Sequence, residues 1–212
     1  MSPPVQQQGV TMPHPYGLAT LGPLLLALGC APVAKQRSEL LKAAPCCPSA
    51  SALPFSVLPP DTTLELEISR ESPVFHFAAG RSYFAAFHLS TSTARHLAFR
   101  VRAQGLTSIT ESTFCPTVLF LDEAFGTLSD TDVGIAYVMP QDAIRGYFVG
   151  AVPVPAQARH VVIYSTKALT ADSVPIPRYE PMTRRFETST IPCAPTGKLS
   201  IFLVDAALIP AD

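Results

Sequence analysis

The densest run of chemically capable side chains is acidic. Asp122, Glu123, Asp130 and Asp132 fall between two apolar stretches. Hard cations such as Ca²⁺ take several carboxylate oxygens, and loops between strands often supply them. The spacing fits no EF-hand, and Asp, Gly, Ser and Thr are ordinary turn formers. A solvated turn is therefore the expectation, with calcium as the alternative. The cysteines and histidines show neither CxxC nor HxxxH spacing, so no other metal is expected, and nothing calls for a cofactor.

Histidines 76, 88, 96 and 160 all fall within strand-like stretches. Nucleophilic catalysis needs a Ser or Cys beside a His that an acid orients. No GxSxG elbow occurs, no Ser stands out, and no carboxylate pair suits glycoside hydrolysis. No catalytic residue is nominated. A GxxxxGK[ST] phosphate loop is also absent. Sugar sites favour aromatic platforms, but Trp is missing. Tyr83, Tyr137, Tyr147, Tyr164 and Tyr179 could serve, although Tyr rings at sheet margins with wet hydroxyls are the commoner arrangement. Arg184 and Arg185 could meet a partner; surface solubility is the ordinary role of such a pair.

Cys115 and Cys193 each lie just before an apolar stretch. If those stretches are neighbouring strands, a disulfide would close a long loop and add about 3–5 kcal/mol in the chain-entropy model. Two unrelated small buried residues are the alternative. Cys46 and Cys47 are adjacent. A bridge between neighbours is rare, so pairing to another chain, or to nothing, stands beside it.

The elements that must position these residues alternate with period two. Leu64, Leu66 and Ile68 alternate with Glu65 and Glu67; Leu97, Phe99 and Val101 alternate with Arg100 and Arg102. Such patterns make strands with one wet face. Residues 81–89, 117–121, 145–151, 159–165 and 199–204 are denser and suit buried strands, and 73–78 and 133–139 add two short ones. About nine strands without a convincing amphipathic helix predict an all-β fold, an antiparallel β-sandwich or jelly roll over residues 61–212. Residues 171–196 carry five prolines and read as a long excursion.

The chain has 212 residues, a net charge of −1 and 15% charged residues, below the usual quarter. No Asp, Glu, Lys or Arg precedes Lys35, so the charge is concentrated in the rest of the chain. The balance excludes a dedicated nucleic-acid binder, which would be basic. Residues 17–29 are apolar and too short for a stable membrane span, and Cys30 follows Ala27, Leu28 and Gly29. That pattern resembles a bacterial lipobox, and the resemblance implies that residues 1–29 are a lipoprotein signal peptide and that Cys30 carries a lipid anchor in the outer membrane. A plain signal cleaved near Ala31 to Ala34 is the alternative. Half of the 22 prolines lie in residues 1–60, and residues 30–60 read as an extended Pro-rich tether.

Several segments together resemble the MalM-type maltose-operon periplasmic proteins. They are residues 51–55, Ser82 to Leu89, Leu97 to Arg102, Phe114 to Asp122, Val161 to Lys167 and Gly197 to Leu203. They follow in order over about residues 50–205, as strand patterns without catalytic signatures. The lipobox departs from the family and implies a member tethered to the outer membrane. The resemblance implies a non-enzymatic periplasmic accessory to maltose or maltodextrin uptake, with a maltodextrin or an outer-membrane porin as partner. An envelope lipoprotein that binds a protein and no sugar is the alternative. Replacing Cys30 by Ser should release the protein from membranes, and unchanged membrane fractionation would sink the lipid anchor.

Overall fold

The alternating stretches fold as strands. The computed structural model describes residues 31–60, 62–90, 96–105, 111–139, 146–180 and 182–205. The expected signal segment and Cys30 lie outside the described residues. The chain runs through α1 (Ala31–Lys42), a 3₁₀ turn (Ala50–Ala52), β1 (Phe55–Leu58), β2 (Leu64–Ile68), β3 (Val74–Phe77) and β4 (Gly80–Leu89). Then come β5 (His96–Arg102), β6 (Thr113–Phe114), β7 (Thr117–Leu121), β8 (Thr127–Asp132), β9 (Ala136–Val138), β10 (Tyr147–Pro153) and β11 (His160–Tyr164). A short α2 (Lys167–Thr170) leads to β12 (Ser173–Glu180), β13 (Arg185–Ala194) and β14 (Gly197–Val204).

The result is an all-β sandwich. The first sheet has the order β1-β4-β11-β7-β8, with β3 also on β4; the second is β2-β14-β5-β10-β9. Pairing is antiparallel except for β1 with β4 and β6 with β13. The inner faces share one core, built from Phe87, Phe120 and Ile163 on one side and Phe99, Phe148 and Ile201 on the other. All nine expected stretches contain a strand, but fourteen strands are present among the described residues.

Three regions correct the sequence reading. Residues 30–60 were expected as an extended tether; from Val33 to Leu58 they instead pack on the sandwich. Val33 and Leu40, seven residues apart on one helix face, are both buried, as are Leu53 and Leu58. The Arg81 guanidinium donates to the carbonyls of Leu41 and Ala43 at 2.7 and 2.8 Å, satisfying the C-terminal end of α1. β1 escaped notice because it has only four residues and lies between Pro54 and Pro59. The second correction is the proline-rich excursion, which forms the β12–β13 hairpin. Pro175 and Pro177 lie on β12, which pairs only with β13, and an edge strand tolerates missing donors. The third is β8, a nearly fully exposed acidic strand paired with β7 where a turn was expected.

Cys115 and Cys193 are joined in a buried disulfide spanning 78 residues, with Cα atoms 5.5 Å apart. β7 and β14 lie in different sheets, so they are not the neighbours that motivated the pairing. The bridge forms instead where β6 meets β13. A loop of that length is worth about 4–5 kcal/mol in the chain-entropy model. The adjacent Cys46 and Cys47 also pair with each other, where the same model assigns only about 1 kcal/mol.

If α1 belongs to the domain, Leu40→Ala should lower unfolding stability in denaturant titration by about 2–4 kcal/mol. A change within about 0.5 kcal/mol, as for a solvated surface site, would return α1 to a tether.

Candidate functional site

Register decides which side chains share the outer face of the first sheet. Phe84 pairs with Tyr164, Ala86 with Val162 and His88 with His160. Successive side chains alternate faces, so these three cross-strand pairs form one row. Its apolar end is covered. Phe77 stacks on Tyr164 at 3.8 Å, and Phe75 and Phe77 meet Phe84 edge-on. Leu53, Leu119 and Leu121 complete this second cluster. Tyr164 donates to Asp130 Oδ1 at 2.6 Å, and burial, then that carboxylate, pushes its phenol pKa up.

The row ends in the histidine pair, with the two Nδ1 atoms 2.9 Å apart. One ring must donate N–H to the lone pair of the other. His160 is 7% exposed, whereas His88 faces solvent. Phe55 lies 5.0 Å from both rings, and Phe125 stacks parallel on His160 at 4.4 Å. Burial, reinforced by the charge of His88, lowers the His160 pKa; Asp122 and Glu123 oppose this. His160 therefore favours the neutral form.

The turn between β7 and β8 positions Phe125. Asp122 Oδ1 accepts from the backbone N–H groups of Ala124 and Gly126 at 2.8 and 2.7 Å. A Cβ on residue 126 would come within 2.9 Å of that carboxylate, so glycine fits there. Phe125 adopts a left-handed backbone, φ 62°, which costs a non-glycine residue about 1–2 kcal/mol. The Asp122 bonds and the stack on His160 offset that cost. Beside the turn, Asp122, Glu123, Ala124, Ala156, Gln157 and Arg159 line a solvent-open depression of about 450 Å³. The Arg159 backbone N–H donates to Leu121 O at 2.9 Å, tying the loop before β11 to the end of β7.

The four acids do not converge on a cation. Asp122 caps its own turn, and Asp130 accepts from Tyr164. Asp132 accepts from Thr117 Oγ1 at 2.7 Å and pairs with Lys167 at 3.6 Å. Glu123 lines the depression. Their separate partners divide the set, so the four carboxylates do not stand together as one ligand group. Among the described residues no group of three or more His, Cys, Asp or Glu could hold a metal ion. The tyrosines also scatter. Tyr83 and Tyr164 are core residues, and Tyr137 accepts from the Gly146 N–H. Tyr147 lies under Arg100, and Tyr179 packs on Phe186 beside the exposed Arg184 and Arg185. His76 faces Arg81 at 3.1 Å. The histidine pair was visible only as two strand histidines; its partnership depends on a register that sequence does not state.

Comparison with protein-family models, curated proteins and solved structures finds no match.

The lowered His160 pKa fixes a pH dependence. As pH falls below the ordinary histidine value of 6.5, the unfolded chain takes up a proton that folded His160 resists. Stability is thus lost on acidification between the unfolded and the lower folded pKa, and none of this loss occurs above pH about 7. The melting temperature should fall from pH 7 to pH 5 in wild type and fall less steeply in His160→Gln. Parallel profiles would contradict this assignment.

Proposed function

We propose that this chain is a non-enzymatic, exported β-sandwich that assists carbohydrate uptake, held at the outer membrane through its N-terminal segment. The observation that carries the sugar reading is the depression beside the Phe125–His160 stack. It offers a carboxylate from Glu123, an amide from Gln157 and a guanidinium from Arg159. Such planar polar groups match pairs of neighbouring sugar hydroxyls. The resemblance to the maltose-operon periplasmic proteins supports maltodextrin as the sugar. Export is supported by the apolar segment ending at Cys30 and by two disulfides in one small chain, which persist in oxidising compartments. The non-enzymatic reading rests on that same resemblance, whose strand patterns carry no catalytic signature. A tether would raise the local concentration of a weak binder near the membrane.

One observation favours an envelope protein partner instead of sugar. The β12–β13 hairpin presents Tyr179, Met182 and Phe186 to solvent, 51%, 91% and 70% exposed. Exposed apolar groups clustered at a hairpin end suit a protein contact.

Calorimetry with a maltodextrin series distinguishes the two. The sugar reading expects heat of binding and a raised melting temperature, with affinity weakened about tenfold or more in Arg159→Ala. No heat and no thermal shift up to millimolar sugar would contradict it. Crosslinking to a single envelope protein, prevented by Phe186→Ser, would then support the second reading.

A further inference from the structure

The two disulfides sit in opposite surroundings. Cys115 and Cys193 are 2% and 0% exposed, whereas Cys46 is exposed and Cys47 half-buried. Thiol–disulfide exchange requires a thiolate to reach a sulfur atom, so exposure separates the two bonds chemically. The bond between neighbouring residues also encloses no intervening residue, and opening it releases little chain entropy. Its place on the surface does not depend on it. Pro45 and Pro48 flank the pair, and the Cys46 backbone N–H donates to Val74 O at 2.8 Å. Cys47 rests against the cluster that covers the outer sheet face.

From this contrast we propose that Cys46–Cys47 is a thiol-exchange site that accepts two electrons from a dithiol. A thiolate of the dithiol attacks Cys46 Sγ. The Cys46–Cys47 bond breaks, and Cys47 leaves as a thiolate with the bonding pair. The second thiolate of the dithiol then attacks the first, displacing Cys46 as a thiolate. The dithiol ends as a disulfide, having given up two electrons and two protons, and Cys46 and Cys47 end as thiols. Adjacency selects for a dithiol. With a monothiol, the neighbouring Cys47 thiolate attacks the mixed disulfide on Cys46 and reverses the step. A second thiol on the reductant competes with that reversal.

The test uses the folded full chain at neutral pH. Dithiothreitol or glutathione is added at equal thiol concentration, free thiols are alkylated, and each cysteine is read by peptide mass mapping. Dithiothreitol should expose Cys46 and Cys47 to alkylation at least about tenfold faster than Cys115 and Cys193. Glutathione should leave them largely oxidised, and thermal melting should stay cooperative after the dithiol treatment. The proposal is overturned if Cys46 and Cys47 are alkylated without reductant or resist until Cys115–Cys193 opens. It is equally overturned if glutathione reduces them as completely as dithiothreitol.

Discussion

The central strands of the first sheet are buried on both faces, and the rest of the structure answers to that constraint. Every residue of β7 and of β11 is buried. The inner face meets the second sheet, as in any sandwich. The outer face carries Phe84, Tyr164, Val162, Leu119 and Leu121, and large apolar side chains left in water would each forgo about 1.5–3 kcal/mol of burial. Something must cover them. β3 and residues 47–55 do so, and β1 extends the same sheet by pairing with β4. The N-terminal segment is therefore a lid on the sheet instead of a cord leading away from it.

The candidate site lies where that cover gives way to polar side chains. Along one row of cross-strand pairs, Phe84–Tyr164 is covered by aromatic rings, and His88–His160 is only partly screened. Phe55, from β1, and Phe125, from a strained turn, provide that screen. Burial makes His160 reluctant to take a proton, and the adjoining depression stays open to solvent-borne ligands. The segment that caps the sheet thus also walls the site. The Cys46–Cys47 pair lies in the same segment.

Much of the sandwich was legible because alternation records which face of a strand is wet. Leu97, Phe99 and Val101 against Arg100 and Arg102 announce β5, and β2 is announced in the same way. What escaped notice had no such record. β1 is too short to show a period and is bracketed by prolines. β8 is exposed on both faces, so its Ser and Asp residues look like a turn. β12 carries Pro175 and Pro177, which argue against a strand unless it lies at an edge. The site was less legible than the fold. The acids stood out by density, yet they serve separate partners. The histidine pair arises from register between residues 72 apart in sequence, and the Cys115–Cys193 bridge forms through β6 and β13, neither of which alternation reveals.

Two-sided burial of the first sheet is the claim on which both the domain boundary and the site depend. Native-state hydrogen exchange on the full chain measures it most directly. Where β1 pairs with β4, protected amides in residues 55–58 should open with the same free energy as those of β11, since both would be released only on global unfolding. Exchange of residues 55–58 at the rate of an unstructured chain, with β11 still protected, would contradict the account and restore a free tether.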